Sequence, residues 1–363
     1  MRRLFSENSA LLVLLLSVAL TACAPAQDEA TGDPRDLVND GYKPTQPSDP
    51  GSSISVPKRH SLEWPVEFQD ETHIIGNTMA QYQPYDGSYW HGGCDVRVKA
   101  GAAVRAPVSG KLEAGHYSYA IHLDGSMTKY WKPWPETGNN TYFEVAIVAD
   151  DGTRYEFHHV NRSTLPDRIV SILDSGGRVN AGDLLGHAIR WSDGVYHHIH
   201  YNVIAKNGVR INPEYISKSI TDTVAPEIKA AYAVMPSGST MGFGSGEFSE
   251  APSEFVINVS DALGKNIYRN PPTMAQLTFE SGKKTVWDFR KTLSLPDGSL
   301  PKLWDFFKSS LKLPLGGTSA TSGGYGVGTS LVRLKVPADA RGAFKIQFYD
   351  QSENVTTLNG KID

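Results

Sequence analysis

Apolar and polar residues alternate in several short runs of this 363-residue chain. The runs at 95–98, 143–148, 155–160 and 198–204 are separated by Asp-Gly and Gly-Gly turns. Successive side chains of a strand point to opposite faces of a sheet, so alternation with a period of two is typical of a half-buried strand. The pattern therefore predicts a domain of antiparallel strands between about residues 63 and 217.

The same pattern returns after a short linker at 221–226, in runs at 255–259 and 344–348. The turns here are rich in Gly, Asn and Pro, and about 140 residues of this kind predict a β-sandwich. This part contains no histidine or cysteine, and its acidic residues show no metal-ligand spacing, so we expect no catalysis in it. Large aromatic residues in it are predicted to belong to its core: Trp287, Trp304, Phe306 and Phe307.

Residues 1–22 have the layout of an export signal. Arg2 and Arg3 give a basic start, and residues 10–20 form an apolar run with a single exception. The run is too short to cross a bilayer as a helix, so it predicts a secretory signal cleaved after residue 22 or a short anchor. The ending Leu20-Thr21-Ala22-Cys23 resembles instead the lipobox of bacterial lipoproteins. That resemblance implies lipidation of Cys23 and a membrane as partner.

A tether is predicted to follow the signal. Residues 24–58 are dense in Pro, Asp, Ser, Gly and Gln, with few apolar residues and no periodicity. Such a segment cannot bury enough apolar surface to fold, so we predict a flexible spacer over 23–58. Residue 24 is alanine and not the aspartate that commonly holds lipoproteins of enteric bacteria in the inner membrane. We therefore expect a cell-envelope protein on the outer membrane, facing the periplasm.

The charge balance excludes one class of partner. The chain carries 35 Lys and Arg against 39 Asp and Glu, a net charge of −4, and it has no basic patch. We therefore expect no nucleic-acid partner. Once Cys23 is lipidated, Cys94 is the remaining free thiol, so no intramolecular disulfide can form. We expect Cys94 to act as a small packing residue, with adventitious metal binding as the alternative.

Histidine marks the part of the chain that carries candidate chemistry. Nine of the 11 histidines lie between His91 and His200, and none occurs in the last 163 residues. His198 and His200 are two apart in a strand-like run, so both imidazoles point to one face while Ile199 points to the core. His91 and Asp95 have two glycines between them, which let the backbone bend so that both side chains reach one ion. Imidazole and carboxylate are suitable zinc ligands, and His198 or His200 can provide the third.

In their order along the chain, these motifs resemble those of the M23 (LytM, lysostaphin-like) zinc metallopeptidases. The family order is His-x-Gly-x-Asp, Tyr-x-aromatic-x-His-Leu, Val-x-x-Gly-x-x-x-Gly and His-x-His. The matching residues are His91, Gly93 and Asp95, then Tyr155, Phe157 and His159, then Val179, Gly182 and Gly186, then His198 and His200. Val160 stands where leucine is usual, and 211–215 resembles the closing segment of the family. The resemblance covers roughly residues 60–217.

The resemblance implies that His91, Asp95 and His200 bind one zinc ion per chain. It also implies that His159 and His198 are the catalytic histidines. We take His198 as the base, while His159 orients water or stabilises the tetrahedral intermediate. The implied reaction is zinc-dependent hydrolysis of the peptide cross-links of bacterial peptidoglycan, with its peptide stems as substrate.

The predicted fold class is mainly β, with an antiparallel β-sheet groove of the M23 peptidase type followed by an Ig-like β-sandwich. The Ig-like assignment comes from 224–228 and 348–355, which resemble the opening and the closing hairpin of bacterial Ig-like domains. The predicted domains are a lipoprotein signal peptide, a tether, a zinc peptidase domain and the sandwich, at 1–22, 23–58, 59–218 and 219–363. For the sandwich we expect a spacer, a wall-binding module or a partner that shapes the groove.

Several alternatives stay open at this point. A non-catalytic LytM-like scaffold would bind the wall or activate another hydrolase, although such relatives usually lack the zinc ligands that this chain keeps. A secreted protease is a third function, and the lipid anchor argues against it. Some relatives are latent because an upstream asparagine caps the zinc, and Asn39 and Asn77 are the candidates here.

Two structural details are also open. Only His159 falls on the face of Tyr155 and Phe157, so we predict that its neighbour His158 points outward. The aromatic insertion at 111–142 either walls a substrate groove or covers strand edges.

Overall fold

Strands dominate the folded chain, as the alternating pattern predicts. The computed structural model of the protein describes residues 55–83, 88–122, 126–191, 194–313, 320–321 and 330–363. The described residues up to 217 form thirteen strands: β1 (Ile75–Asn77), β2 (Gln81–Gln83), β3 (Tyr89–His91), β4 (Cys94–Arg97), β5 (Ala103–Arg105), β6 (Gly110–Ile121), β7 (Met127–Pro133), β8 (Phe143–Val148), β9 (Arg154–His158), β10 (Arg178–Val179), β11 (Leu184–His187), β12 (His198–Ile204) and β13 (Arg210–Ile211). They also form helices α1 (Asp167–Ser175) and α2 (Pro213–Ile216).

The described residues after 217 form a second set of elements. They are β14 (Glu227–Val234), β15 (Thr240–Gly242), β16 (Glu247–Phe248), β17 (Glu254–Ser260), β18 (Met274–Phe279), β19 (Lys284–Asp288), helix α3 (Leu303–Phe306), β20 (Ser310–Leu311), β21 (Ala320–Thr321), β22 (Leu331–Lys335), β23 (Gly342–Tyr349) and β24 (Val355–Ile362). The prediction of a mainly β, antiparallel fold is confirmed.

A nine-stranded antiparallel sheet forms the framework of the first part. Its path is β1-β4-β12-β9-β8-β6-β10, with β13 paired to β12 and β7 paired to β6. One face packs into a hydrophobic core, which contains Val96 of β4, Phe157 of β9, and Ile199 and Tyr201 of β12, all fully buried. Helix α1 adds Ile169 to this core. The alternate residues of the same strands lie on the opposite face, which we call the polar face.

Two sheets share one core in the second part. Their orders are β15-β14-β17-β22 and β16-β24-β23-β18-β19. Phe255 of β17 and Phe344 of β23 meet in this core at a ring-centroid distance of 5.0 Å. This is the predicted β-sandwich architecture. Phe306 and Phe307 are buried in the core and Trp287 and Trp304 pack against it, which confirms the prediction for these four residues.

The first part contributes a hairpin to the second core. Strands β2 and β3 pair with each other, and Met79, Tyr82 and Trp90 are buried among the aromatic residues of the sandwich. The Trp90 indole donates to the Pro301 carbonyl oxygen at 2.8 Å. Since His91 directly follows Trp90 in β3, the sandwich fixes the strand that carries a predicted zinc ligand.

The N-terminal predictions concern residues that the structure does not describe. The signal peptide 1–22, the lipidation site Cys23, the tether up to residue 54 and Asn39 all lie outside the described residues. None of the helices in the described ranges is both long and apolar enough to cross a membrane.

Candidate metal centre

Strand register brings the three predicted zinc ligands together on the polar face. Asp95 of β4 lies directly opposite His200 of β12, and β3 delivers His91 beside them. A nitrogen of each imidazole and an oxygen of the carboxylate all lie within 4.8 Å of one another. We call His91, Asp95 and His200 the candidate metal centre.

A glycine permits the close approach of these strands. A Cβ atom at Gly93 would lie 2.3 Å from the Tyr201 carbonyl oxygen and 2.2 Å from the Asn202 side-chain oxygen. Real Cβ atoms do not come this close, so the turn between β3 and β4 can lie against β12 only with glycine here. This explains why the sequence His-Gly-Gly-Cys-Asp can aim residues 91 and 95 at one point.

Both imidazoles of the centre lie at hydrogen-bond distance from one oxygen of its carboxylate. The Nδ1 atom of His91 lies 3.0 Å from the Thr78 carbonyl oxygen, which only accepts, so Nδ1 carries the proton. Nε2 of the same ring lies 3.0 Å from Asp95 Oδ1, and His200 Nδ1 lies 2.9 Å from that oxygen. Both imidazoles therefore converge on one carboxylate oxygen. The donor set, two imidazoles and a carboxylate, fits zinc.

Burial and neighbouring groups set the ionisation of the centre. Burial alone would raise the pKa of Asp95, but His91, His198 and His200 hold that pKa well below its ordinary value. Burial lowers the pKa of His200 to about 3, against the opposing hydrogen bond to Asp95. An ionised carboxylate and a neutral imidazole are the forms that bind metal. The His200 side chain is 16 % exposed, more than those of His91 and Asp95.

The two predicted catalytic histidines lie beside the centre. The rings of His159 and His198 are 4.9 Å apart, and His198 Nε2 is 3.8 Å from Asp95 Oδ1. Nδ1 of His198 lies 2.9 Å from the Tyr196 carbonyl oxygen, and Nδ1 of His159 lies 2.7 Å from the Thr141 carbonyl oxygen. Each Nδ1 therefore donates, and each Nε2 is left as a proton acceptor. Burial lowers the pKa of both imidazoles, so both are neutral at neutral pH.

His159 reaches this position through an unusual backbone conformation. Its φ is +66°, in the left-handed region that non-glycine residues rarely adopt. It follows β9, which ends at His158, and its backbone N–H donates to the Phe143 carbonyl oxygen at 3.0 Å. The left-handed turn interrupts strand alternation, so His158 and His159 both reach the polar face. Rare backbone conformations of this kind cluster at functional sites.

The prediction that His158 points outward is wrong. His158 is 1 % exposed, lies opposite His200 in the β9–β12 pairing, and its ring is 4.9 Å from that of His200. Alternation does place His158 away from the core, as predicted. The face away from the core is the polar face that carries the site, and it is not open to solvent at this point.

His158 belongs to a second group of candidate ligands, which we call the glutamate cluster: Glu144, Glu156 and His158. Its carboxylates are neutralised by the protein. Arg154 donates to Glu144 at 2.9 Å and to Glu156 at 2.8 Å, and Lys129 binds both carboxylates as well. Burial opposes their ionisation, but Lys129 and His158 lower the pKa of both glutamates. The cluster is therefore a buried ion-pair network.

Sequence reasoning missed two aromatic residues of the site. The Trp191 ring stacks on the His198 ring, with centroids 5.0 Å apart and planes 7° apart. The Tyr196 ring lies 4.8 Å from that of His198, and its hydroxyl is 3.5 Å from Asp95 Oδ2. Tyr196 precedes His198 by two positions, so the alternation of β12, extended by one step, could have suggested it. Trp191 lies in a loop and gave no such signal.

Asn77 contacts the centre directly. It lies opposite Asp95 in the β1–β4 pairing, and its Nδ2 donates to Asp95 Oδ2 at 2.6 Å and to the Tyr196 hydroxyl at 3.0 Å. Its own Oδ1 is buried without a hydrogen-bond partner among the described residues. The sequence named Asn77 as a candidate cap, and the contacts observed orient the carboxylate that would bind zinc.

The aromatic insertion forms a hairpin beside the site. Strands β6 and β7 pair antiparallel and extend the sheet. The Tyr117 ring lies 4.3 Å from the His158 ring, and the Tyr117 hydroxyl is 3.5 Å from His159 Nδ1. Of the two predicted roles, this position supports that of a wall at the site. Cys94, on the core face of β4, is fully buried in the first core, which confirms its prediction as a packing residue.

Comparisons with known proteins give only distant likenesses. No family model matches the chain, and no curated protein matches it. Among solved structures, it is similar to an M23 peptidase from Pseudomonas aeruginosa, at 20% identity and a TM-score of 0.26, over 45% of this chain and 52% of that chain. The chain thus spans about half the length of that protein.

Two structures of lysostaphin are similar at comparable levels. The one from Staphylococcus simulans has 15% identity and a TM-score of 0.31, over 84% of this chain and 97% of that chain. A solution structure of lysostaphin has 15% identity and a TM-score of 0.26, over 78% and 93%.

Proposed function

We propose that the protein is a zinc-dependent endopeptidase that hydrolyses the peptide cross-links of bacterial peptidoglycan. The observation that carries the proposal is the convergence of five side chains from β3, β4, β12 and the residue after β9: His91, Asp95, His159, His198 and His200. The substrate class comes from the motif resemblance to the M23 family.

The chain's own groups have separate tasks in this reaction. His91, Asp95 and His200 hold the metal, and a bound Zn²⁺ supplies a Lewis acid that polarises the scissile carbonyl and makes water easier to deprotonate. His198 Nε2 takes a proton from the attacking water as the water oxygen bonds to the carbonyl carbon. His198 then gives that proton to the leaving amine nitrogen, and the C–N bond breaks.

Hydrogen bonds to backbone carbonyls prepare both histidines for these tasks. The Tyr196 and Thr141 carbonyl oxygens fix the Nδ1–H tautomers of His198 and His159, which leaves Nε2 of each ring available. Trp191 packs against both rings, at 5.0 Å from His198 and 4.8 Å from His159. We assign His159 to orienting the water or stabilising the tetrahedral intermediate.

The test compares the wild type with His200→Ala and His198→Ala. Zinc content is measured by mass spectrometry, and cleavage by the conversion of cross-linked muropeptide dimers to monomers. We expect the wild type to hold one zinc and cleave, and His200→Ala to lose both. His198→Ala should keep zinc while its rate falls by about 10²–10⁴-fold, the range for loss of a general base.

Two results would contradict the proposal. A wild type without zinc would favour a wall-binding scaffold that activates another hydrolase. Stoichiometric zinc without cleavage of any muropeptide, in the wild type and in Asn77→Ala alike, would exclude peptidoglycan as the substrate.

We further propose that lipidated Cys23 holds the enzyme at the cell envelope. The support is the lipobox-like ending of the export signal at residues 20–23. Fatty-acid labelling of cells that express the wild type or Cys23→Ser tests this, and equal labelling of both would contradict it.

A further inference from the structure

Three aspartates converge at one end of the sandwich, far from the candidate metal centre in sequence. Asp222 lies in the linker between α2 and β14, Asp261 directly follows β17, and Asp350 directly follows β23. One oxygen of each carboxylate lies within 4.8 Å of the others. We call these residues the aspartate cluster. The sequence showed no metal-ligand spacing here because long stretches of chain separate the three residues, and the fold removes that separation.

Two carboxylate oxygens of the cluster lack a hydrogen-bond partner among the described residues. Asp261 is 7 % exposed, and its Oδ1 is buried without a partner. Asp222 Oδ1 accepts from the Val224 N–H at 3.0 Å, but its Oδ2 is buried without a partner. Buried polar atoms in native structures are nearly always satisfied, so these two oxygens are open to a ligand.

Asn270 adds a neutral oxygen on the same side. Asp261 and Asn270 exchange both backbone hydrogen bonds, at 2.7 and 2.8 Å, so their side chains project from the same side of the pair. Asn270 is 5 % exposed, and its Oδ1 is also buried without a partner in the described part of the chain. An amide oxygen is a ligand that hard cations accept beside carboxylates.

The negative charge of the cluster is not compensated by the protein. No described lysine, arginine or histidine forms an ion pair with any of the three carboxylates, whereas Arg154 and Lys129 neutralise the glutamate cluster. Burial, followed by the charges of Asp350 and Asp222, raises the pKa of Asp261 to about 8. Burial and the neighbouring negative charges both disfavour the ionised form of Asp261, and a bound cation would favour it.

We propose that Asp222, Asp261 and Asp350 bind a divalent cation of the calcium class. The ligands are all oxygen, which favours a hard cation over zinc, and two oxygens that each lie about 2.3–2.6 Å from one Ca²⁺ can be nearly 5 Å apart. Asn270 Oδ1 and water complete the coordination shell.

The cation ties the linker to the end of the sandwich. Gln351 directly follows Asp350, and its Oε1 accepts from Asn212 Nδ2 of the first part at 3.1 Å. The Asn354 side chain donates both to Asp350 Oδ2 at 2.8 Å and to the Asp222 carbonyl oxygen at 3.2 Å. The same hairpin therefore holds the linker, the cation site and a contact with the part that carries the candidate metal centre.

Thermal unfolding of the full chain tests the proposal. The protein is freed of metal on a chelating resin, reloaded with one equivalent of Zn²⁺ and titrated with CaCl₂ to about 10 mM. This concentration exceeds the dissociation constants of the weakest extracellular calcium modules. We expect calcium to raise the melting temperature of the wild type by about 5 °C. Isothermal titration should give one bound Ca²⁺ per chain.

Three variants make the test specific. Asp261→Asn keeps the side-chain shape and removes a buried charge, so it should fold, and calcium should not change its melting temperature. Asp297→Asn changes an aspartate in an exposed turn and should shift as the wild type does. His200→Ala should also shift fully, because the candidate metal centre is a separate site, so failure of the proposed zinc function leaves this result unaffected.

Three results of the melting experiment would overturn the proposal. The calcium site is overturned if CaCl₂ leaves the melting temperature of the wild type unchanged over the whole titration. It is also overturned if Asp261→Asn shows the same rise in melting temperature, or if MgCl₂ raises the melting temperature and CaCl₂ does not. If Asp261→Asn does not fold, equilibrium dialysis of the wild type and of Asp350→Asn against ⁴⁵Ca²⁺ decides, and absence of binding to the wild type overturns the proposal.

Discussion

The candidate metal centre and the glutamate cluster lie next to each other on one sheet face, yet they differ in their electrostatics. Both place three candidate ligand atoms within 4.8 Å. Asp95 has only histidines as ion-pair partners among the described residues, while Glu144 and Glu156 are each paired with Lys129 and Arg154. Closeness of ligands therefore does not by itself define a metal site. A site also needs charge that the protein leaves uncompensated.

The largest effect, on zinc binding, is expected from comparing His200 of the candidate metal centre with His158 of the glutamate cluster. His200→Ala should lose zinc and reduce muropeptide cleavage to background, because it removes a ligand. His158→Ala should keep one zinc, because its Nε2 is engaged by Glu144 at 3.1 Å and by Glu156 at 3.3 Å. Zinc content of the two purified variants is the measurement. Loss of zinc in His158→Ala would show that the two clusters act as one.

The next effect concerns stability. Arg154→Met should lower the free energy of unfolding by about 3–5 kcal/mol, because it leaves buried carboxylates unpaired. Arg178→Met is the control, since Arg178 pairs with Asp150 on the surface, and it should cost at most about 1 kcal/mol. Urea denaturation of both variants measures the difference. An Arg154→Met protein as stable as the control would show that the glutamate cluster is not held by its cations.

A smaller effect is expected from the residue that orients Asp95. Asn77→Ala should weaken zinc binding by about 10–100-fold, as loss of a hydrogen bond to a metal ligand does. Asn202→Ala is the control, because its Nδ2 donates to Glu156 of the glutamate cluster at 3.1 Å. Competition with a zinc chelator measures both affinities. A faster-cleaving Asn77→Ala with unchanged affinity would instead support the capping role that the sequence suggested.

The smallest effect is expected from the ring stacked on His198. Trp191→Leu should reduce kcat by about 2–10-fold, since an aromatic pair is worth about 0.5–1.5 kcal/mol beyond its buried area. Trp287→Leu is the control, because Trp287 packs against the core of the sandwich. Steady-state rates on one cross-linked muropeptide compare them. Equal losses in the two variants would remove the specific role of Trp191.

Much of the candidate centre follows from local patterns in the sequence. Alternation in β12 places His198 and His200 together and Ile199 in the core, and the structure agrees. The same rule, applied consistently to β9, places Glu156 and His158 on the polar face beside His200. The sequence interpretation erred because it treated the face away from the core as the outside of the protein.

Other features could not be predicted from local patterns. The left-handed backbone at His159 depends on hydrogen bonds with Phe143 and Ile189, which lie far away in sequence. The pairing of Lys129 and Arg154 with two glutamates depends on the register of four strands.

The sequence by itself predicted the strand runs of the first part and the shared face of His198 and His200, because side-chain alternation is a property of the local backbone. Its resemblance to the M23 motifs supplied the full set of candidate ligands. Only the tertiary structure decided which polar groups meet. It placed Trp90 in the second core and so fixed His91, neutralised the glutamate cluster and assembled the aspartate cluster. These outcomes depend on pairing and burial between distant segments, which a local pattern does not specify.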